Sequence, residues 1–148
     1  MTATAELVVD ASVAVAWVVD EPISHWARSL LGGRLVAPPI LWTECANACW
    51  RIERVDRTGS FKAQDALARI LRVPVELSAP SGALTAAALR LATTLDHPVY
   101  DCLYLALALD RGASLATADR RFAAALTRAA ALPATRLLTP ALPPPGAR

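Results

Sequence analysis

Short apolar runs that alternate with longer helical patterns constrain the fold of this chain more than any other feature. Five runs are strand-like: "ELVV" at Glu6–Val9, "RLVAP" at 34–38, "VPVEL" at 73–77, "ASLATAD" at 113–119 and "TRLLTP" at 135–140. Strands that carry apolar residues on both faces are typical of parallel sheets covered by helices. The sequence therefore predicts an α/β fold of three layers, α/β/α, with a central parallel sheet of about four or five strands.

The chain length and the proline-rich C-terminal segment predict one domain followed by a short tail. A chain of 148 residues is about the size of one domain. We expect this domain to span residues 1–139, and the proline-rich segment 140–148 to be extended or disordered. Within the domain, Pro39 is expected to open one helix and Ser60 to cap the next.

Composition excludes several classes of protein. Although 55% of the residues are hydrophobic, no uncharged apolar run approaches the roughly 18 residues that a membrane helix needs. The apolar N-terminal stretch lacks a preceding basic region, so we expect no signal peptide and a cytoplasmic location. Cys45 and Cys49 lie one helical turn apart and are expected in the core; a metal site that they form with His25 or His97 is the less favoured alternative.

Four carboxylates have no local partner that explains them. Asp10, Glu44 and Asp101 are each the only charged residue in a long apolar segment, and Asp119 closes the apolar run "SLATA". Asp10 and Asp119 follow predicted strands, while Asp101 lies in the first turn of a predicted helix and Glu44 in the second turn of another. Because ligands bind at the carboxyl edge of parallel sheets, we expect all four side chains to meet there.

A divalent cation would explain such a cluster. Carboxylates gathered away from water repel one another and raise each other's pKa values, and an ion such as Mg²⁺ or Mn²⁺ removes the conflict. One ion, or two about 4 Å apart, would activate water and hold a phosphate. The alternative is structural: Asp10 and Asp119 as helix N-caps, and Asp101 as an acid that serves the helix dipole. For all four together, we favour the metal site, and we expect Asp10 to face the metal rather than to cap a helix.

Three segments resemble the PIN-domain family, and within it the VapC-type toxins of bacterial toxin–antitoxin pairs. They are "LVVDASVAVAW", "APPILWTECANA" and "VYDCLYLALALDRGASLATADRRF", and the resemblance runs from Leu7 to about Leu138. It implies a metal-dependent ribonuclease that hydrolyses RNA phosphodiester bonds, a VapB-like antitoxin partner and a homodimer. The family's acidic quartet falls on Asp10, Glu44, Asp101 and Asp119, and its two hydroxyl residues, which orient carboxylates or waters, fall on Ser12 and Thr117.

The binding of RNA is less clearly indicated. Arg51, Arg54 and Lys62 follow Glu44 along the chain and could contact an RNA backbone, although a solvated helix end explains the arginines slightly better. Three other functions stay open at this point. They are a housekeeping PIN nuclease in RNA processing, a receiver-like phospho-signalling domain, for which Asp10 lacks an acidic neighbour, and a catalytically silent binding module.

Overall fold

A computed structural model describes residues 5–129 and 137–140 of the chain. Five strands form one sheet: β1 (Glu6–Val9), β2 (Arg34–Ala37), β3 (Val75–Leu77), β4 (Ser114–Ala116) and β5 (Leu137–Leu138). Seven helices connect them: α1 (Ala11–Ala16), α2 (Ser24–Ser29), α3 (Ile40–Val55), α4 (Ala63–Ile70), α5 (Gly82–Leu95), α6 (Val99–Arg111) and α7 (Arg120–Arg128). A 3-10 turn, Leu30–Gly32, extends α2.

The sheet is parallel throughout, with strand order β3-β2-β1-β4-β5. Because parallel connections are right-handed, α1–α4 cover one face on the way from β1 to β3, and α5–α7 cover the other face. The predicted three-layer fold is confirmed. The strand order reverses between β1 and β4, and ligands of such sheets bind in the crevice outside that point.

The core forms where the strands predicted it. The last three residues of β1 and of β2 are buried. The last two residues of β4, Leu115 and Ala116, are buried as well. Cys45, Cys49 and Cys102 are all buried free thiols, as expected for the first two. Among the described residues, no helix is both long enough and apolar enough to span a membrane.

One local prediction, the helix cap at Ser60, was wrong, and another, the tail, lies almost entirely outside the described residues. Ser60 does not cap α4: its hydroxyl pairs with that of Thr58 at 2.6 Å, and α4 begins only at Ala63. The amide of Ala63 instead donates to Oε1 of Glu53 at 2.9 Å, so a side chain of the preceding helix performs the capping. The predicted tail, apart from Pro140, lies outside the described part of the chain.

Candidate functional site

The four isolated carboxylates line one pocket at the carboxyl edge of the sheet. Asp10 directly follows β1 and Asp119 lies three residues after β4, the strands that flank the reversal of strand order. Glu44 reaches the pocket from α3 and Asp101 from the first turn of α6. This acidic pocket has a volume of about 340 Å³. Its lining also includes Ser12, Glu21, Asn47 and Arg51.

Asp10 is the most buried member, with 4% of its surface exposed. Its Oδ1 accepts hydrogen bonds from the Ser12 hydroxyl at 2.5 Å and from the Val13 amide at 3.2 Å. The second bond caps α1. The prediction that Asp10 does not cap a helix was therefore wrong. Because the carboxylate has two oxygens, Oδ1 can cap the helix while the other oxygen remains available in the pocket.

Burial raises the pKa of Asp10 to about 6; the hydroxyls of Ser12 and Thr117 and the Val13 amide oppose this shift, and the charge of Asp101 adds to it. Burial also raises the pKa of Glu44. The hydrogen bond from the Tyr104 hydroxyl opposes this shift, and the charge of Asp101 adds to it. Asp101 thus disfavours the ionised form of both neighbours. The pocket is short of positive charge, which is the condition that a bound cation relieves.

Tyr104 holds Glu44 in place. The phenol is fully buried, and its hydroxyl donates to Oε1 of Glu44 at 2.5 Å. Burial, followed by the charge of Glu44, raises the pKa of Tyr104, so the phenol keeps its proton and remains a donor. Sequence reasoning missed this residue. A hydroxyl on the apolar helix α6, three residues after Asp101, was the only signal for it.

His97 holds Asp101 in the same way. Its Nε2 lies 2.6 Å from Oδ2 of Asp101, and its ring stacks on Phe122 with centroids 5.0 Å apart. The sequence had suggested His97 only as an alternative ligand beside cysteines, and the structure places it against a carboxylate instead. Sequence reasoning also missed Glu21 as a lining residue of the acidic pocket.

Ser12, in the first turn of α1, and Thr117, directly after β4, link the segments that follow the two central strands. The Ser12 hydroxyl accepts from the Ala118 amide at 2.8 Å and lies 3.5 Å from the Thr117 hydroxyl, which itself accepts from the Asp119 amide at 3.0 Å. Asp119 caps α7, because its Oδ1 accepts from the amides of Arg121 and Phe122. These bonds fix the positions of two carboxylates from different strands.

The donor set fits a divalent cation held partly through water. Within the described residues, the hydrogen bonds of each of the four carboxylates go to one of its two oxygens, which leaves the second oxygen for a ligand. In the same part of the chain, no three His, Cys, Asp or Glu side chains are close enough together to hold one ion. Mg²⁺ suits such a site because it usually keeps several waters and binds one or two carboxylates directly.

The predicted RNA-contacting residues do not share one location. Arg51 lines the acidic pocket. Arg54 lies over the ring of Trp50, with its guanidinium carbon 4.8 Å from the ring centroid. Lys62 is exposed at the start of α4 and, like Arg54, is not part of the pocket lining. Their roles, like those of the four carboxylates, stay predictions.

The chain belongs to the PIN domain family, whose family model matches residues 7–126. The predicted family is thereby confirmed, and membership supports a nuclease activity. A comparison with curated protein sequences gives no match.

Solved structures share the fold over most of the chain. PAE2754 from Pyrobaculum aerophilum is 26% identical with a TM-score of 0.62; the match covers 86% of this chain and 97% of that one. VapC20 of Mycobacterium tuberculosis, described as a toxin that cleaves the sarcin-ricin loop, is 20% identical with a TM-score of 0.61 over 80% of this chain and 94% of that one. VapBC2 from Rickettsia felis, bound to a promoter DNA fragment, gives 16% identity and a TM-score of 0.61 over 90% of this chain and 98% of the matched chain.

Proposed function

We propose that this protein is a Mg²⁺- or Mn²⁺-dependent endoribonuclease of the cytoplasm that acts as the toxin of a type II toxin–antitoxin pair. The observation that carries the proposal is the convergence of Asp10, Glu44, Asp101 and Asp119 on one pocket where the strand order reverses. The VapC20 toxin, which shares the fold, cleaves the sarcin-ricin loop, and the Rickettsia felis structure is a VapBC2 complex; the first supports a ribonuclease here and the second an antitoxin partner.

The reaction is hydrolysis of an RNA phosphodiester. Water attacks phosphorus, the bond from phosphorus to the 3′ oxygen breaks, and that oxygen takes up a proton. A bound Mg²⁺ or Mn²⁺ supplies Lewis-acid stabilisation of the phosphate and promotes ionisation of water. The four carboxylates would hold the ion, directly or through retained waters.

The residues around the carboxylates prepare them for this task. Tyr104 and His97 fix the orientation of Glu44 and Asp101, and Ser12 fixes that of Asp10. Such fixed orientation lowers the reorganisation needed when charge develops during the reaction. Arg51 at the pocket wall is the one lining cation among the described residues, and it is placed to attract the RNA phosphate.

The test combines cleavage with metal binding. Purified protein incubated with total RNA and Mg²⁺ or Mn²⁺ should produce discrete new RNA ends, and chelation with EDTA should abolish them. Calorimetry should show binding of the same ion to the free protein. A folded protein that binds the ion but cleaves no RNA would contradict the ribonuclease proposal.

Co-expression separates a toxin from a housekeeping nuclease. Expression alone should arrest growth, and co-expression with the neighbouring gene should restore it if that gene encodes an antitoxin. A housekeeping enzyme predicts no arrest and no rescue. A homodimer is part of the proposal and is tested in the Discussion.

A further inference from the structure

A second pocket, rich in arginine, adjoins the acidic one. Its volume is about 330 Å³, and its lining residues are Asp96, His97, Arg120, Arg121, Ala124 and Arg128. We call it the basic pocket. It brings together three arginines and one carboxylate, in contrast to the acidic pocket, where carboxylates predominate.

The two pockets meet at two points. His97 lines the basic pocket and contacts Asp101 of the acidic pocket at 2.6 Å. Arg120 of the basic pocket directly follows Asp119 in sequence. The His97–Asp101 contact and the adjacency of Asp119 and Arg120 make the two pockets neighbours.

One face of α7 forms a wall of the basic pocket. Arg121, Ala124 and Arg128 are spaced three and four residues apart, so they share one face of the helix. The inward face carries buried Phe122, on which His97 stacks. Ala124 is small, which leaves room between Arg121 and Arg128, whose backbone positions lie two turns apart.

The charge of the three arginines is not used within the described residues. None of their guanidinium groups forms a salt bridge within 4.0 Å in residues 5–129 and 137–140, although Asp96 also lines the pocket. Arg34 and Arg111, by comparison, pair with Glu6 and Glu76 at 3.1–3.4 Å. Three like charges held together favour an anionic ligand.

We propose that the basic pocket binds backbone phosphates of an RNA strand adjacent to the phosphate that is cleaved. This inference rests on the proposed ribonuclease function. An RNA strand is repelled by four carboxylates, so an adjoining cluster of arginines supplies the attraction that its approach requires. Guanidinium groups suit this ligand because their planar fork matches phosphate oxygens. The predicted track of Arg54 and Lys62, outside both pockets, is less well placed than α7.

The ligand is RNA rather than an acidic protein segment because the pocket adjoins the candidate catalytic centre. A polyanionic strand with one phosphate at the carboxylates carries further phosphates on either side, and the basic pocket adjoins that centre through His97 and Arg120. An acidic peptide has no such reason to lie beside Asp101 and Asp119. It remains the competing outcome of the test.

The test replaces the three arginines with glutamine and compares the result with a matched control. The variant is Arg120→Gln/Arg121→Gln/Arg128→Gln. The control is Arg69→Gln/Arg72→Gln/Arg90→Gln, which removes the same charge from exposed positions of α4, α5 and the turn after α4. Binding of a labelled single-stranded RNA is measured in an Asp10→Asn background, so that cleavage does not interfere.

The α7 variant should weaken RNA binding roughly tenfold or more, and the slope of log K against log salt should fall by about 2, since each phosphate contact contributes about 0.7. The control should change Kd less than threefold. In the cleaving protein, the α7 variant should raise KM with little change in kcat. The Arg→Lys triple variant, which keeps the charge, should retain most of the salt dependence.

Each result decides the matter. If the α7 variant and the control bind RNA alike, with equal salt slopes, the basic pocket does not contact RNA. If the α7 variant loses binding of the co-expressed antitoxin while RNA binding is unchanged, an acidic protein segment is the ligand and the inference is wrong. If the parent protein neither binds nor cleaves RNA, the proposed function itself fails, which is a different result.

Discussion

Replacing Asp10 with asparagine should stabilise the metal-free protein. Burial raises the pKa of Asp10 from 3.8 to about 6, so the folded protein disfavours the ionised carboxylate. At about 1.4 kcal/mol per pKa unit, a shift of this size lowers the free energy of unfolding by about 3 kcal/mol above pH 6. Asparagine keeps the shape and the oxygen that accepts from Ser12 and Val13, and it removes the buried charge.

The pH dependence follows from the sign of the shift. A group whose pKa is raised by folding costs nothing below its unfolded pKa, and its cost grows as pH rises through the folded pKa. The advantage of Asp10→Asn should therefore be fully present at pH 7.5, fall to about half at pH 5 and vanish near pH 3. At about 2–4 °C per kcal/mol for a chain of this size, the expected rise in Tm at pH 7.5 is roughly 6–12 °C.

The assay is thermal unfolding in EDTA at several pH values, followed by a titration with Mg²⁺. Asp20→Asn is the control, because it removes an exposed carboxylate and should stay within about 0.5 kcal/mol of the parent. Mg²⁺ should raise the Tm of the parent but not of Asp10→Asn, which also should lose ribonuclease activity. An Asp10→Asn protein that is no more stable than the parent in EDTA at pH 7.5 would refute the reasoning.

Three further predictions concern other contacts. Tyr104→Phe removes the donor to Glu44 and should raise the Glu44 pKa further, which moves the acid limb of the pH–rate profile to higher pH; Tyr100→Phe should leave it unmoved. Ser12→Ala leaves the Ala118 amide unpaired and should destabilise the protein by about 1–3 kcal/mol in denaturant unfolding, whereas Ser60→Ala should cost less. Light scattering at micromolar concentration should give about twice 15.7 kDa, and a single species at 15.7 kDa would contradict the homodimer.

Local sequence determined the elements and the candidate acids. Apolar runs such as Glu6–Val9 predicted strands because a parallel strand that is buried on both faces needs apolar side chains at consecutive positions. The carboxylates Asp10, Glu44, Asp101 and Asp119 stood out because charge without a local partner is rare in apolar segments. Their meeting at one edge followed from the rule that parallel strands place their carboxyl ends together.

Tertiary structure decided which side chains support and surround those acids. Tyr104 pairs with Glu44 across 60 residues of sequence, and Ser12 with Ala118 across 106, so no local pattern contains either contact. The dual role of Asp10, with one oxygen capping α1, depends on helix geometry that the residue type alone leaves open. Only the packing of α7 against the connection between α5 and α6 places its arginines beside His97, because that packing joins segments distant in sequence through the stack of His97 on buried Phe122.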